Sequence, residues 1–259
     1  MSESVVVDHV SKHFVMQNAR TLKQRLVRGS RGEETNPKFL AIDDVSVTIK
    51  QGEAIGLMGL NGSGKSTLLK LISGVLRPDQ GRVLARGQIA GLIEVTAGFH
   101  PQLTGRENVF LNAAILGMTE KETKAKFDDI VEFADVGKFL DLPVGNYSSG
   151  MFARLGFAVA VHTDSDIFLV DEVLAVGDRP FKRKCIARME EIRATGRTLF
   201  YVSHAPGSVR KMCERVLVLE KGRLAFDGPT DEGIKFLHYD DSDEDDDNTE
   251  EPDDLGADI

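Results

Sequence analysis

The run Gly59-Leu60-Asn61-Gly62-Ser63-Gly64-Lys65-Ser66-Thr67 stands between a strand signal and a helix signal, a combination that few folds can accommodate. Before it, Glu53 to Met58 is a short apolar run of the kind that makes a buried strand. After it, Leu68 to Leu76 carries apolar residues at helical spacing. Gly59, Gly62 and Gly64 let the backbone turn sharply with its N–H groups inward, so that the loop and the helix N-terminus form an anion cradle. In such a cradle Lys65 reaches the β- and γ-phosphates of ATP, and the Ser66 hydroxyl ligates Mg²⁺. A glycine-rich turn with no ligand is the plain alternative, but it requires neither the full spacing nor the flanking strand and helix.

A second segment carries carboxylates to where such a loop needs them. Ile167-Phe168-Leu169-Val170 reads as a central parallel strand ending in Asp171 and Glu172. Open α/β sheets bind ligands at that end of their strands. Asp171 is thus a candidate for the Mg²⁺ shell, and Glu172 for polarising or deprotonating the attacking water. Alone, the pair would read equally well as a solvated loop or helix cap. Downstream, Leu199-Phe200-Tyr201-Val202 is another apolar strand ending in Ser203-His204, and His204 is a candidate contact to the γ-phosphate.

With Tyr147-Ser148-Ser149-Gly150-Met151 added, the chain resembles the nucleotide-binding subunit of an ABC transporter from Val5 to about Leu237. The resemblance implies an α/β P-loop NTPase of ABC type, with an antiparallel β subdomain and a helical signature subdomain. It places Ser148, Ser149 and Gly150 at the signature that caps the ATP of a second copy bound head to tail. Ser149 and Met151 depart from the common Leu-Ser-Gly-Gly-Gln pattern, yet small residues at a helix N-terminus keep its affinity for anions. Asp178, in Ala175-Val176-Gly177-Asp178, falls at the end of the loop that crosses the dimer. Phe14 resembles the aromatic that stacks on adenine, with a core Phe as the alternative. Glu94 stands at or beside the position of the usual glutamine, where a carboxylate would bind the water or Mg²⁺.

Two longer segments, Glu94 to Asn108 and Tyr147 to Ala160, resemble the exporters of lipid-linked polysaccharides: O-antigen, teichoic acid, capsule or cell-wall galactan. That branch implies two copies of an integral-membrane permease, a glycan reached through the permease, and a peripheral position on the cytoplasmic face of the inner membrane. An exporter ATPase for another substrate and a non-transport ABC ATPase stay open. The latter, acting on ribosomes or nucleic acid, usually carries two cassettes or a long insertion, so no nucleic-acid partner is expected. Between the first strand, Val5-Val6-Val7, and Ala41, residues Ala19 to Arg28 put Leu22 and Leu26 on one helical face with Arg20, Lys23, Arg25 and Arg28 around them. This helix is expected either near a pore mouth or as a solvated basic surface.

The 259 residues can bury one large α/β core with room for a smaller helical part, which the spacing puts at about 99–160. Arg106 to Leu116, Glu120 to Phe133 and Ser149 to His162 read as its helices. No apolar run reaches 18 residues and the N-terminus has no secretory pattern, so membrane contact is expected through a partner. Cys185 and Cys213 lack metal spacing and read as reduced thiols. The net charge of −9 is unevenly placed. Residues 239–259 hold 12 Asp or Glu and no Lys or Arg, which leaves the ATPase domain expected over 1–238 mildly basic. By composition that tail is a disordered polyanion. With no β-sandwich after the ATPase, export is expected to be coupled to glycan synthesis rather than to recognition of a finished end.

Overall fold

The computed structural model describes residues 2–15, 38–92, 98–171 and 178–237. The basic segment 19–28, Glu94, Glu172 and the acidic tail lie outside the described residues.

Four apolar runs make the centre of the molecule. Strands β3 (Ala54–Met58), β6 (Ile167–Val170), β7 (Thr198–Val202) and β8 (Arg215–Glu220) lie in a six-stranded sheet of order β5-β6-β7-β3-β8-β9. Strands β5 (Ile89–Gly91), β6, β7, β3 and β8 are parallel neighbours, and β9 (Arg223–Pro229) closes the edge antiparallel to β8. Side chains alternate across the sheet. Ile167 and Leu169 enter one hydrophobic core, Phe168 and Val170 the other; Phe200 and Val202 oppose Leu199 and Tyr201 in the same way. Both faces are therefore dry, which is why these strands read as unbroken apolar runs. Each fully buried side chain of this size contributes about 1.5–3 kcal/mol.

The first core is closed by a three-stranded antiparallel sheet of order β2-β1-β4, built from β1 (Glu3–Val15), β2 (Lys38–Lys50) and β4 (Gln80–Ala85), together with helix α1 (Lys65–Ile72). Strand β1 is longer than the Val5–Val7 run suggests because bulges near Val10 and Lys12 let it continue past its apolar stretch. Helix α1 stops at Ile72, short of the expected Leu76: Ser73 caps it and Gly74 follows with φ +76°.

The second core is covered by α2 (Gly105–Ile115), α3 (Glu120–Ala134), α4 (Ser149–Val161) and α5 (Arg179–Ala194). Thr104 and Thr119 open α2 and α3 with complete capping boxes, each pairing with the Glu three residues on. Phe133 joins these helices: it stacks on Phe157 at 5.9 Å and meets Phe181 edge-on at 5.8 Å, with Lys184 Nζ 4.6 Å from its ring centroid. Helices α6 (Pro206–Met212) and α7 (Thr230–Phe236) complete the described chain. No described helix is long and apolar enough to cross a membrane.

Candidate functional site

The parallel register sets the site. Leu57 is level with Val202, and Tyr201 with Val170, so β3, β7 and β6 end together at their C-terminal edge. Each strand delivers its next residues to that edge: β3 delivers Gly59, β7 delivers Ser203-His204, and β6 delivers Asp171. A cavity of about 230 Å³ opens there, lined by residues Asn61 to Thr67, Asp171, Phe39 and Ala41.

Gly59 has φ +137°, and a Cβ there would run into the Leu219 carbonyl and, at 2.8 Å, the Ser63 hydroxyl. Only glycine lets the loop pass so close to β8. Lys65 is buried, and its ammonium donates to the Gly59 carbonyl at 2.7 Å and the Leu60 carbonyl at 3.2 Å, which folds the side chain across the loop. Ser63 is also buried, and its hydroxyl has no hydrogen-bond partner among the described residues. An unpartnered buried hydroxyl on a cavity wall costs stability unless a ligand completes it. A phosphate oxygen fits: the hydroxyl, the lysine and the helix N-terminus all favour an anion at one place.

Ser66 Oγ donates to Asp171 Oδ2 at 3.4 Å, a long contact joining side chains 105 positions apart in sequence. One hydroxyl and one carboxylate are too few for a metal cage, and the described residues hold no group of three His, Cys, Asp or Glu able to bind one. They do fit Mg²⁺ brought in on a nucleotide, since that ion keeps few protein ligands and takes the rest from phosphates and water. His204 is half-buried just beyond β7, where Ala205 N donates to Ser203 Oγ at 3.1 Å.

Ser148 caps α4, its hydroxyl accepting from Met151 N at 3.2 Å, and Ser149 is exposed with Gly150 beside it at the helix N-terminus. Tyr147 steadies this turn by donating its hydroxyl to the Phe139 carbonyl at 2.8 Å, and burial pushes its phenol up from the ordinary range. Ser148, Ser149 and Gly150 do not line the cavity. Asp178 caps α5 by accepting from Phe181 N at 3.2 Å and is gripped by Arg154 of α4. Phe14 is exposed rather than a core residue and does not line the cavity; its directly opposed neighbour on β2, Phe39, does. Sequence reasoning missed Phe39, Ala41 and Arg154. The first two lie on β2, well before the loop in sequence, and their place on the cavity wall is visible only in the folded chain.

The ABC transporter family model matches residues 42–175. Over 199 residues the chain is 46% identical to the O-antigen export system ATP-binding protein RfbB of Klebsiella pneumoniae, covering 77% of this chain and 81% of that one. It is 40% identical over 242 residues to the teichoic acids export ATP-binding protein TagH of Bacillus anthracis, covering 93% of this chain and 43% of TagH. Its fold is similar to a dimeric post-hydrolysis state of an ATP-binding cassette bound to ADP and Pi, with a TM-score of 0.69 and 23% identity over 87% of this chain and 98% of that one.

Proposed function

Because the chain belongs to the ABC transporter family and is an ATP-binding ATPase domain of that type, we propose that it powers export of a lipid-linked polysaccharide across a cell membrane. The observation that carries the ATPase reading is the meeting of Ser66 and Asp171 at the mouth of the phosphate loop. The glycan reading rests on likeness to the O-antigen and teichoic acid export proteins.

In this reading residues 1–238 form the ATPase domain, with its helical part at about 99–160, and two copies face each other. Lys65 and the loop N–H groups hold the β- and γ-phosphates of ATP. Ser66 and Asp171 supply two oxygen ligands for Mg²⁺, which when bound neutralises charge on those phosphates. Glu172, next to Asp171 in sequence, accepts a proton as a water oxygen bonds to the γ-phosphorus and the bond to the leaving ADP oxygen breaks. His204 holds the γ-phosphoryl oxygens in place through that step. Ser148, Ser149 and Gly150 of one copy cap the nucleotide of the other, and Asp178 lies on the loop between them. Closure on ATP and reopening after hydrolysis drive two permease subunits from the cytoplasmic face of the inner membrane.

The test is ATP hydrolysis by the purified chain and its Glu172→Gln form, alone and with the permease in lipid, with and without undecaprenyl-linked glycan. Hydrolysis that needs the permease, rises with the glycan and disappears in the variant is expected. Full activity indifferent to permease and glycan would defeat the export reading while leaving the ATPase.

A further inference from the structure

We propose that Phe39 is a second aromatic contact to the nucleotide base, acting beside Phe14 as one platform; this deepens the ATPase reading and rests on it. Phe39 and Phe14 are directly opposed across the antiparallel β1–β2 ladder. Directly opposed residues stand on the same face of a sheet, so the two phenyl rings share one side. Ala41 falls at a register shift, between Leu40 opposite His13 and Ile42 opposite Lys12, and it too lines the cavity.

That face belongs to the phosphate site. Phe39 and Ala41 both line the cavity together with the loop and Asp171. The loop is pressed against β2 at this level, for a Cβ on Gly64 would come within 2.7 Å of the Ala41 carbonyl and 2.8 Å of Ile42 Cδ1. From Ala41 to Phe39 the strand advances about 6.6 Å. The wall therefore continues from the phosphates outward, in the direction in which the nucleoside of a phosphate-anchored nucleotide must extend.

Both rings are exposed, Phe39 by 47% and Phe14 by 38%. Neither makes a ring-on-ring contact among the described residues, and the Lys12 ammonium, 6.0 Å from the Phe14 centroid, is at the outer limit of a cation–π contact. Two large aromatic surfaces left in water beside an anion cradle suit a planar base, whose π-face stacks on them. A phenyl ring has no donor or acceptor, so this platform reads the face of the base and not its edge. ATP and GTP are accordingly bound alike.

The experiment is equilibrium binding to the full-length chain by calorimetry, with ATP and inorganic tripolyphosphate as the two probes, for the unaltered protein, Phe39→Ala and Phe39→Tyr. Phe39→Ala is expected to weaken ATP about tenfold, the range of one lost stacking contact. It should leave tripolyphosphate within about twofold, and Phe39→Tyr should restore ATP binding, because stacking needs only the ring. Unchanged ATP affinity in Phe39→Ala would overturn the inference. So would an equal loss for both probes, which would mean that Phe39 merely supports the loop. An unaltered chain that binds tripolyphosphate but not ATP would instead defeat the ATPase reading on which the inference rests.

Discussion

Arg154 Nη2 lies 2.9 Å from Asp178 Oδ1, so α4, the helix that Ser148 caps, is tied to the residue that caps α5. The Arg154 guanidinium also lies over the Phe181 ring at 5.1 Å and within 3.6 Å of Asp135. One side chain of α4 thus touches both the end of α3 and the start of α5.

Arg154→Met is expected to lower stability by about 1–2 kcal/mol, combining a half-exposed ion pair with the loss of one cation–π contact. In a double-mutant cycle with Asp178→Asn, the coupling between the two residues should be about 0.5–1 kcal/mol. Urea unfolding of the four proteins measures it, and additive effects would mean that the pair is incidental.

Asp171→Asn and Ser66→Ala each remove one of the two oxygen ligands that the proposed function gives to Mg²⁺. Each is expected to lower kcat for Mg²⁺-dependent ATP hydrolysis by about a hundredfold or more, the scale of losing one preorganised charge-stabilising group. Binding of ATP in the presence of a chelator should persist. Steady-state kinetics paired with metal-free binding separates the two effects.

Phe133→Ala removes a ring that stacks on Phe157 and meets Phe181 and His162 edge-on. It is expected to cost about 3–5 kcal/mol, as for other buried phenylalanines. Phe133→Leu should cost less, since it keeps most of the volume. Thermal melts followed by circular dichroism give the ranking.

Cys185 and Cys213 are free and buried, and burial pushes both thiols up to about 12. An unfolded thiol ionises near about 8.5, so the stability linked to these groups is fully present below that pH and declines as pH rises from there toward 12. Between pH 8 and 10 the loss should be on the order of 1 kcal/mol per thiol, and Cys213→Ala should shrink it. Iodoacetamide at pH 8 should label neither cysteine until denaturant is added.

Helices α2, α3 and α4 were legible from their apolar spacing, with ends within a residue of those found, while the capping boxes of Thr104 with Glu107 and Thr119 with Glu122 fix two of the starts. Buried parallel strands such as Ile167–Val170 were equally plain, being apolar on both faces. Strand β9 was not, because no residue from Arg223 to Pro229 is fully buried and it includes Asp227-Gly228-Pro229. At the site, the loop's spacing announced itself locally. The Arg154–Asp178 contact and the Phe14–Phe39 pairing join positions that only tertiary packing and strand register bring together, and no periodicity within one element encodes either.

The common ending of β3, β6 and β7 has an evolutionary consequence. Gly59, Asp171 and His204 are placed by a backbone ladder, in which Leu57 is level with Val202 and Val170 with Tyr201, rather than by the shapes of the side chains beneath them. The core can therefore drift through many apolar exchanges without moving the chemistry. A single inserted or deleted residue in any of these strands is different: it would turn every side chain of that strand to the opposite core and carry its terminal group off the common edge. Relatives should vary freely in which apolar residue fills each strand position, and hardly at all in strand length.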